Sequence, residues 1–259
     1  MKKSLVKDGR AIIVLTHGAF EHSGRYDWLI EQFNEHHFHV IYGDLPGHGT
    51  SEGKRGHIHH FQHYINTVST WVDEAATFNV PTFLFGHSMG GLITIRLLQQ
   101  MDKEVTGVIL SSPALGLLTG LPKPLFTLSK ALNITFPQMK FPTGVNSHMA
   151  TTNEMFHQRD AQDPLYLKKV TVRWYHEFEK AIKQAFLSID DYANIPTYII
   201  QAGEDKLVDK NAVQSWYDSL NIKDKSFKMW EQLYHELLNE PERQTVFNDV
   251  LHYINERIN

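Results

Sequence analysis

The stretch that decides the fold is Phe83-Leu84-Phe85-Gly86-His87-Ser88-Met89-Gly90-Gly91. It reads as an apolar strand that runs into Gly-x-Ser-x-Gly and then into the apolar helical pattern 92–98. This order is typical of the nucleophile elbow, a strand-to-helix turn so tight that the serine hydroxyl stands exposed above a sheet. Glycine is needed at 86 and 90 because larger side chains would collide with the flanking strand and helix. The stretch therefore predicts Ser88 as a nucleophile.

A second match to the same pattern, Gly49-Thr50-Ser51-Glu52-Gly53, lacks this context. It follows the turn-forming residues 46–49 instead of a strand, and it leads into the polar residues 54–57 instead of an apolar helix. Ser51 is therefore predicted to be a loop serine.

Composition excludes several classes of protein. The chain has 259 residues, of which 42% are hydrophobic and 21% charged, as expected of a globular protein with a large core. A formal net charge of -4 and the lack of an arginine-rich helix or zinc-ligand spacing give no indication of nucleic-acid binding. The chain has no cysteine, which excludes disulfides and a thiol nucleophile. Because no apolar run suits a signal peptide or a membrane span, a cytoplasmic protein is expected.

Short apolar runs alternate with amphipathic helical patterns, which favours an α/β fold with a mostly parallel sheet flanked by helices. The predicted strands are 11–16, 39–44, 81–86, 107–112, 196–202 and 226–231, and the predicted helices are 26–35, 61–76, 92–100, 211–220 and 241–258. Residues 3–7 could add one short strand that turns directly into the first central strand.

One interval breaks this alternation. More than 80 residues separate the strands 107–112 and 196–202, far more than a crossover needs. We expect a core of residues 1–114 and 190–259 and a helical cap of residues 115–189, inserted over the sheet edge where ligands bind. The insert is either a lid with an exposed apolar face or an ordinary helical subdomain with its own small core. The front of the cap, which includes Leu121, Leu125 and Phe126, is the most apolar part and is expected to receive an acyl chain or to touch a membrane.

The acid and base of a catalytic triad should follow the serine in the order Ser, Asp, His. Asp205 comes just after the strand that ends at 202, which favours it over Glu204 and over Asp209, where the sequence resembles a helix cap. Only two histidines follow Asp205. His252 falls within a helical pattern, so His235 is predicted to be the general base, which Asp205 would orient.

The loop His17-Gly18-Ala19-Phe20 follows the first central strand. In folds with a nucleophile elbow this loop donates one backbone N–H to the oxyanion hole, and the residue after the serine donates the other. We therefore predict Ala19 and Met89 as the two donors, with Phe20 as the alternative to Ala19. The histidines at 57, 59, 60 and 63 carry no metal-site pattern, and no metal or cofactor is predicted.

Four segments resemble the monoacylglycerol lipase/lysophospholipase branch of the α/β-hydrolases and, within it, bacillary phospholipases. They are residues 17–26, 44–51, 86–91 and 234–236. The resemblance runs over nearly the whole chain and implies an α/β-hydrolase fold and a serine esterase that acts on single-chain lipids under a cap. It also implies that Glu21 and Arg25 lie near the leaving alcohol. Phe20 departs from the pattern, because it is bulky where mammalian monoacylglycerol lipases have glycine, and it is predicted with Glu21 and Arg25 to contact the substrate. A local ion pair between Glu21 and Arg25 that orders the loop is an equally good interpretation.

Two alternative functions remain at this point. One is a carboxylesterase of small esters that uses the same residues, and the other is a non-catalytic binding protein with a hydrolase fold. The expected partner is a lipid ester, with transient contact between the cap and a membrane surface.

Overall fold

A seven-stranded sheet forms the centre of the computed structural model, which describes residues 1–120 and 122–258. The strands are β1 (Lys2–Ser4), β2 (Ala11–Thr16), β3 (Phe38–Tyr42), β4 (Thr82–His87), β5 (Gly107–Ser111), β8 (Thr197–Ala202) and β9 (Lys225–Trp230). Their order in the sheet is β1-β3-β2-β4-β5-β8-β9, and every neighbouring pair is parallel except β1 with β3. The predicted parallel sheet is confirmed.

Helices cover both faces of this sheet. They are α1 (Asp27–Glu35), α2 (Gln62–Ala76), α3 (Met89–Leu98), α8 (Lys210–Ser219) and α9 (Arg243–Ile258). Alternate residues of each central strand enter different cores: Ile12 and Val14 of β2 pack with α2 and α3, whereas Ile13 and Leu15 pack with α1 and α9. Both sets are fully buried, which explains why the strands read as continuous apolar runs.

The first strand pairs differently from the sequence-based expectation. β1 lies antiparallel to β3, with Lys2 opposite Tyr42 and Ser4 opposite Val40, and it does not form a hairpin with β2. The edge of β2 on this side of the sheet is already paired with β3, whose Phe38, Val40 and Ile41 are fully buried. β1 is short and largely exposed, so it can only extend the sheet on the outer side of β3.

The long insert between β5 and β8 is mainly helical. It holds α4 (Lys123–Thr135), α5 (Ser147–Ala150), α6 (Glu154–Gln162) and α7 (Val172–Leu187), together with a two-stranded antiparallel sheet of β6 (Lys140–Pro142) and β7 (Lys169–Thr171). Across residues 1–120 and 122–258, no helix is both long and apolar enough to cross a membrane.

Candidate active site

Ser88 sits between the end of β4 and the start of α3 with φ of 51° and ψ of −116°. A positive φ is strained for any residue other than glycine, and such strain concentrates at functional sites. The neighbouring glycines explain how the turn closes. A Cβ on Gly86 would lie 2.6 Å from the Gly90 carbonyl oxygen, and a Cβ on Gly90 would overlap the carbonyl oxygen of Thr16. The turn therefore has the geometry expected of a nucleophile elbow.

The other serine of the repeated pattern is held by its own loop. The Ser51 hydroxyl lies 2.7 Å from the carbonyl oxygen of Leu45 and 2.6 Å from that of His48, to either of which it can donate. It also accepts a hydrogen bond from the His48 N–H at 3.2 Å. These contacts give Ser51 a role in holding the turn.

Asp205 and His235 meet at the carboxyl edge of the sheet. His235 Nδ1 lies 2.7 Å from Asp205 Oδ2. The other carboxylate oxygen accepts the backbone N–H groups of Leu207 and Val208, each at 2.9 Å. Because these bonds fix the carboxylate in its loop, the imidazole that it contacts has one defined orientation.

The electrostatics of the pair favour an ionised acid and a basic imidazole. Burial alone would raise the pKa of Asp205, but the His235 ring and the two backbone N–H groups outweigh it and lower that pKa. Burial alone would lower the pKa of His235, but Asp205, and then Glu236 and Glu21, raise it above the ordinary histidine value. The geometry thus suits a base that stays in one tautomer and binds a proton readily.

The rival residues lie elsewhere. Asp209 caps α8, where its Oδ1 accepts the Asn211 N–H at 2.9 Å, and Glu204 is exposed. His252 is on the exposed face of α9, with Nε2 3.3 Å from Glu256.

The predicted oxyanion residues flank the serine. Ala19 lines the same cavity as Ser88 and His235. Met89 is the first residue of α3, where a backbone N–H has no carbonyl acceptor within its own helix. Phe20, the alternative to Ala19, has a positive φ of 69°, and its carbonyl accepts the N–H of Leu167 at 2.7 Å. The loop is therefore bonded to the insert as well as to the core.

A cavity of about 270 Å³ opens from Ser88 into the insert. Its floor includes Ala19, Ser88 and His235. Its apolar walls come mostly from the insert and include Leu117, Phe141, Val145, Val170, Trp174, Tyr175 and Phe178. Glu21, Tyr166 and Glu236 supply polar atoms. An apolar cavity with a few polar groups beside a serine suits a ligand that has one apolar chain.

The walls agree only in part with the expectation that the front of the insert would receive the acyl chain: Leu117 and Pro122 of that front line the cavity, but the described residues of its helix, α4, do not. Leu125 is 52% exposed, and Phe126 packs against Tyr175 and His176, so neither lines the cavity. Leu121 lies outside the described residues. The walls belong mainly to β6, β7 and α7. The helical spacing of the apolar residues Trp174, Tyr175 and Phe178 on α7 is the sequence signal that could have identified them.

Glu21 and Arg25 differ in their position. Glu21 lines the cavity, whereas Arg25 does not and has a side chain that is only 1% exposed. Arg25 Nε donates to Glu21 Oε2 at 2.9 Å. The ion pair named above as the alternative interpretation is therefore present. Glu21 accepts the Gly18 N–H and the Tyr26 hydroxyl as well, so it holds the loop that carries Ala19.

The histidine-rich segment 57–63 lies away from this cavity. Within the described part of the chain, no group of three or more histidine, cysteine, aspartate or glutamate residues could hold a metal ion. His57 instead bonds the insert, with Nδ1 2.9 Å from the Thr171 hydroxyl.

The family that matches is described as serine aminopeptidase, S33 (Hydrolase_4), and it covers residues 7–242. The chain belongs to this family. Phospholipase YtpA of Bacillus subtilis (strain 168) is 48% identical to this hydrolase over 238 residues, which are 92% of each chain. Monoglyceride lipase of Mus musculus is 32% identical over 95% of this chain and 81% of its own.

A solved structure agrees with the fold. The crystal structure of Paleococcus ferrophilus monoacylglycerol lipase superposes with a TM-score of 0.90 and 27% identity, and it covers 99% of this chain and 98% of its own. The α/β-hydrolase fold and the resemblance to lipases of monoacylglycerols are confirmed. The roles assigned to individual residues of this hydrolase stay predictions.

Replacing Asp205 by Asn should lower kcat by about 10⁴, because an amide favours the wrong tautomer of His235. Asp209→Asn is the matched control: it makes the same change four residues away, and asparagine caps a helix as well as aspartate does. Steady-state kinetics on a soluble short-chain ester would compare the two. A larger loss in Asp209→Asn than in Asp205→Asn would show that the acid is misassigned.

Proposed function

We propose that this hydrolase cleaves carboxylic esters of single-chain lipids, monoacylglycerols or lysophospholipids, through an acyl intermediate on Ser88. The observation that carries the proposal is the apolar cavity that joins Ser88 and His235 to the walls of the insert. A small-ester carboxylesterase needs no such walls. The names of the relatives, phospholipase and monoglyceride lipase, support the same substrate class.

The chemistry follows from the roles of the three side chains. Ser88 Oγ attacks the ester carbonyl while His235 Nε2 accepts its proton, and Asp205 stabilises the imidazolium that forms. Backbone N–H groups of Ala19 and Met89 stabilise the negative charge on the carbonyl oxygen. His235 then gives the proton to the leaving alcohol. A water molecule, activated by the same imidazole, hydrolyses the acyl-serine and restores the hydroxyl.

Residues 115–189 act as the cap in this proposal, and the cap has two different surfaces. The inner one lines the cavity, and the outer one carries α4. Exposed apolar side chains gather on and around α4: Leu118, Leu125, Leu128, Ile134, Phe136 and Met139 are between 44% and 82% exposed. Lys130 and Lys140 are exposed beside them. Such a surface suits shallow contact with a lipid bilayer, from which the substrate would enter.

Ser88→Ala should lower kcat by roughly 10⁴–10⁶ and leave the fold intact. A fluorophosphonate probe should label the wild-type protein at Ser88. It should label the Ser51→Ala variant, the control, to the same extent. Mass spectrometry of the labelled peptide gives the site. Labelling of Ser88→Ala at full stoichiometry would show that another residue is the nucleophile. A wild-type protein that is neither labelled nor active on esters would favour the non-catalytic binding protein.

The value of kcat/KM should rise with acyl length, because each buried methylene contributes about 0.8 kcal/mol, or about fourfold. Leu117→Gln should reduce this rise, since Leu117 lines the cavity. Leu118→Gln is the matched control, because Leu118 is 55% exposed and does not line it. The measurement uses p-nitrophenyl esters from acetate to decanoate. A flat wild-type profile would favour the small-ester carboxylesterase.

A triple variant with glutamine at Leu125, Leu128 and Ile134 should bind phosphatidylcholine vesicles more weakly, with and without phosphatidylglycerol. The reason is that these three apolar side chains would be buried in the bilayer surface in the wild type. Activity on a soluble short ester should stay at the wild-type value. Leu187→Gln is the control, since Leu187 is 66% exposed at the far end of α7. Vesicle co-sedimentation measures the binding, and equal binding by the triple variant would refute contact through α4.

A further inference from the structure

One buried guanidinium contacts three carboxylates from three separate segments. Arg25 Nε donates to Glu21 Oε2 at 2.9 Å, and Arg25 Nη2 lies 2.7 and 2.8 Å from the two oxygens of Glu236. Arg25 Nη1 donates to Asp160. Every nitrogen of the guanidinium is thus engaged, and the side chain is 1% exposed. A substrate head group has no access to it.

Two of the carboxylates adjoin the groups that the proposed mechanism uses. Glu236 directly follows His235 in the chain, and its side chain also accepts the Asn239 Nδ2–H at 2.7 Å. Glu21 accepts the N–H of Gly18, which precedes Ala19. The orientations of the His235 loop and of the oxyanion loop therefore depend on the same cation.

The third carboxylate belongs to the insert. Asp160 lies on α6, and the residues around it bond the same two loops. The Leu167 N–H donates to the Phe20 carbonyl at 2.7 Å, and the Glu236 N–H donates to the Ala150 carbonyl at 2.8 Å. The rear part of the insert is thus fastened to both loops, whereas α4 at the front is largely exposed.

We infer that Arg25 is a positioning residue of the reaction, which holds the oxyanion loop, the His235 loop and the rear of the cap in one arrangement through Glu21, Glu236 and Asp160. The inference rests on the proposed role of His235 as the base. A planar guanidinium can satisfy three carboxylates in fixed directions, and an ammonium group cannot. A displacement of about 1 Å in a reacting group can lower the rate about 10²-fold.

The charges around His235 make this role measurable. Several charged and titratable groups lie on the segments that pack around His235. They are Asp205 after β8, Glu236 on the His235 loop, Glu21 and Arg25 after β2, His87 at the end of β4, and Asp160 and Tyr166 of the insert. His87 is neutral at pH 7, because burial lowers its pKa to about 4. Arg25 is thus the cation that offsets Glu21 and Glu236 beside the imidazole.

The experiment measures kcat, KM and the pH dependence of kcat/KM on a soluble short-chain ester for Arg25→Lys, Arg25→Met and Glu236→Gln. Activity requires neutral His235, so it rises as the pH passes the pKa of that residue. Arg25→Lys keeps the charge and should lower kcat about 10–100-fold. Its KM, and the pH at which kcat/KM rises on the acid side of the profile (the acid limb), should stay near the wild-type values. Arg25→Met should lower kcat as well and move the limb to higher pH, because Glu21 and Glu236 then act on His235 without a counter-charge.

Glu236→Gln is the second route, since it keeps the size of the side chain if the Arg25 variants do not fold. It should lower kcat and move the acid limb to lower pH, because it removes a carboxylate that raises the pKa of His235. Circular dichroism confirms the folded state of each variant. A folded Arg25→Lys with wild-type kcat, or a folded Glu236→Gln with wild-type kcat and limb, would overturn the inference. A change in KM with wild-type kcat would also overturn it, because it would show a role in substrate binding instead of positioning.

The failure of this inference can be told apart from the failure of the proposed function. If the Ser88→Ala variant keeps its activity, the proposed function is wrong, whatever the Arg25 variants do. If Ser88→Ala is inactive and the Arg25 and Glu236 variants behave as the wild type does, only the positioning role is refuted.

Discussion

The close approach of β4, α3 and β2 around Ser88 is the constraint on which the rest of the site depends. Ser88 has a positive φ, a backbone conformation that costs about 1–3 kcal/mol for a residue other than glycine. The strain persists because Gly86 and Gly90 let the helix start against the strand and against the Thr16 carbonyl. Packing on both sheet faces holds these elements, so the core stabilises a serine geometry that the isolated turn would not keep.

The same parallel sheet brings together residues that lie far apart in the chain. The loops that follow β2, β4, β8 and β9 carry Ala19, Ser88, Asp205 and His235 respectively. Because parallel strands end at the same edge, these four loops open on one side of the sheet. The Asp205 carboxylate is then hydrogen-bonded by its own loop amides, by the His235 ring and by Gln201 Nε2 at 3.2 Å. The predicted reactive groups thus come from the ends of strands, and the insert supplies the apolar surface.

The insert divides into a fastened rear and an exposed front. Its rear contacts the reaction loops through Asp160, Ala150 and Leu167, and its inner face lines the cavity with aromatic side chains. Its front, α4, packs on α7 and leaves several apolar side chains in solvent. This division gives the two parts different tasks. The rear would keep the reaction geometry, and the front would be free to meet a lipid surface without disturbing it.

The sequence by itself determined the features that arise from local geometry. The turn at Ser88 needs glycine at two fixed positions, and buried strands need continuous apolar runs, so both leave a readable pattern. The order of the predicted serine, acid and base and the long insert could be read in the same way, and His235 Nδ1 lies 2.7 Å from Asp205 Oδ2. Only the tertiary structure decided the pairing of β1 with β3, the origin of the cavity walls and the contacts of Arg25. These depend on which surfaces meet between residues that are far apart in the chain, 40 residues for Lys2 and Tyr42 and 135 for Arg25 and Asp160, and such contacts leave no periodic signal in the sequence.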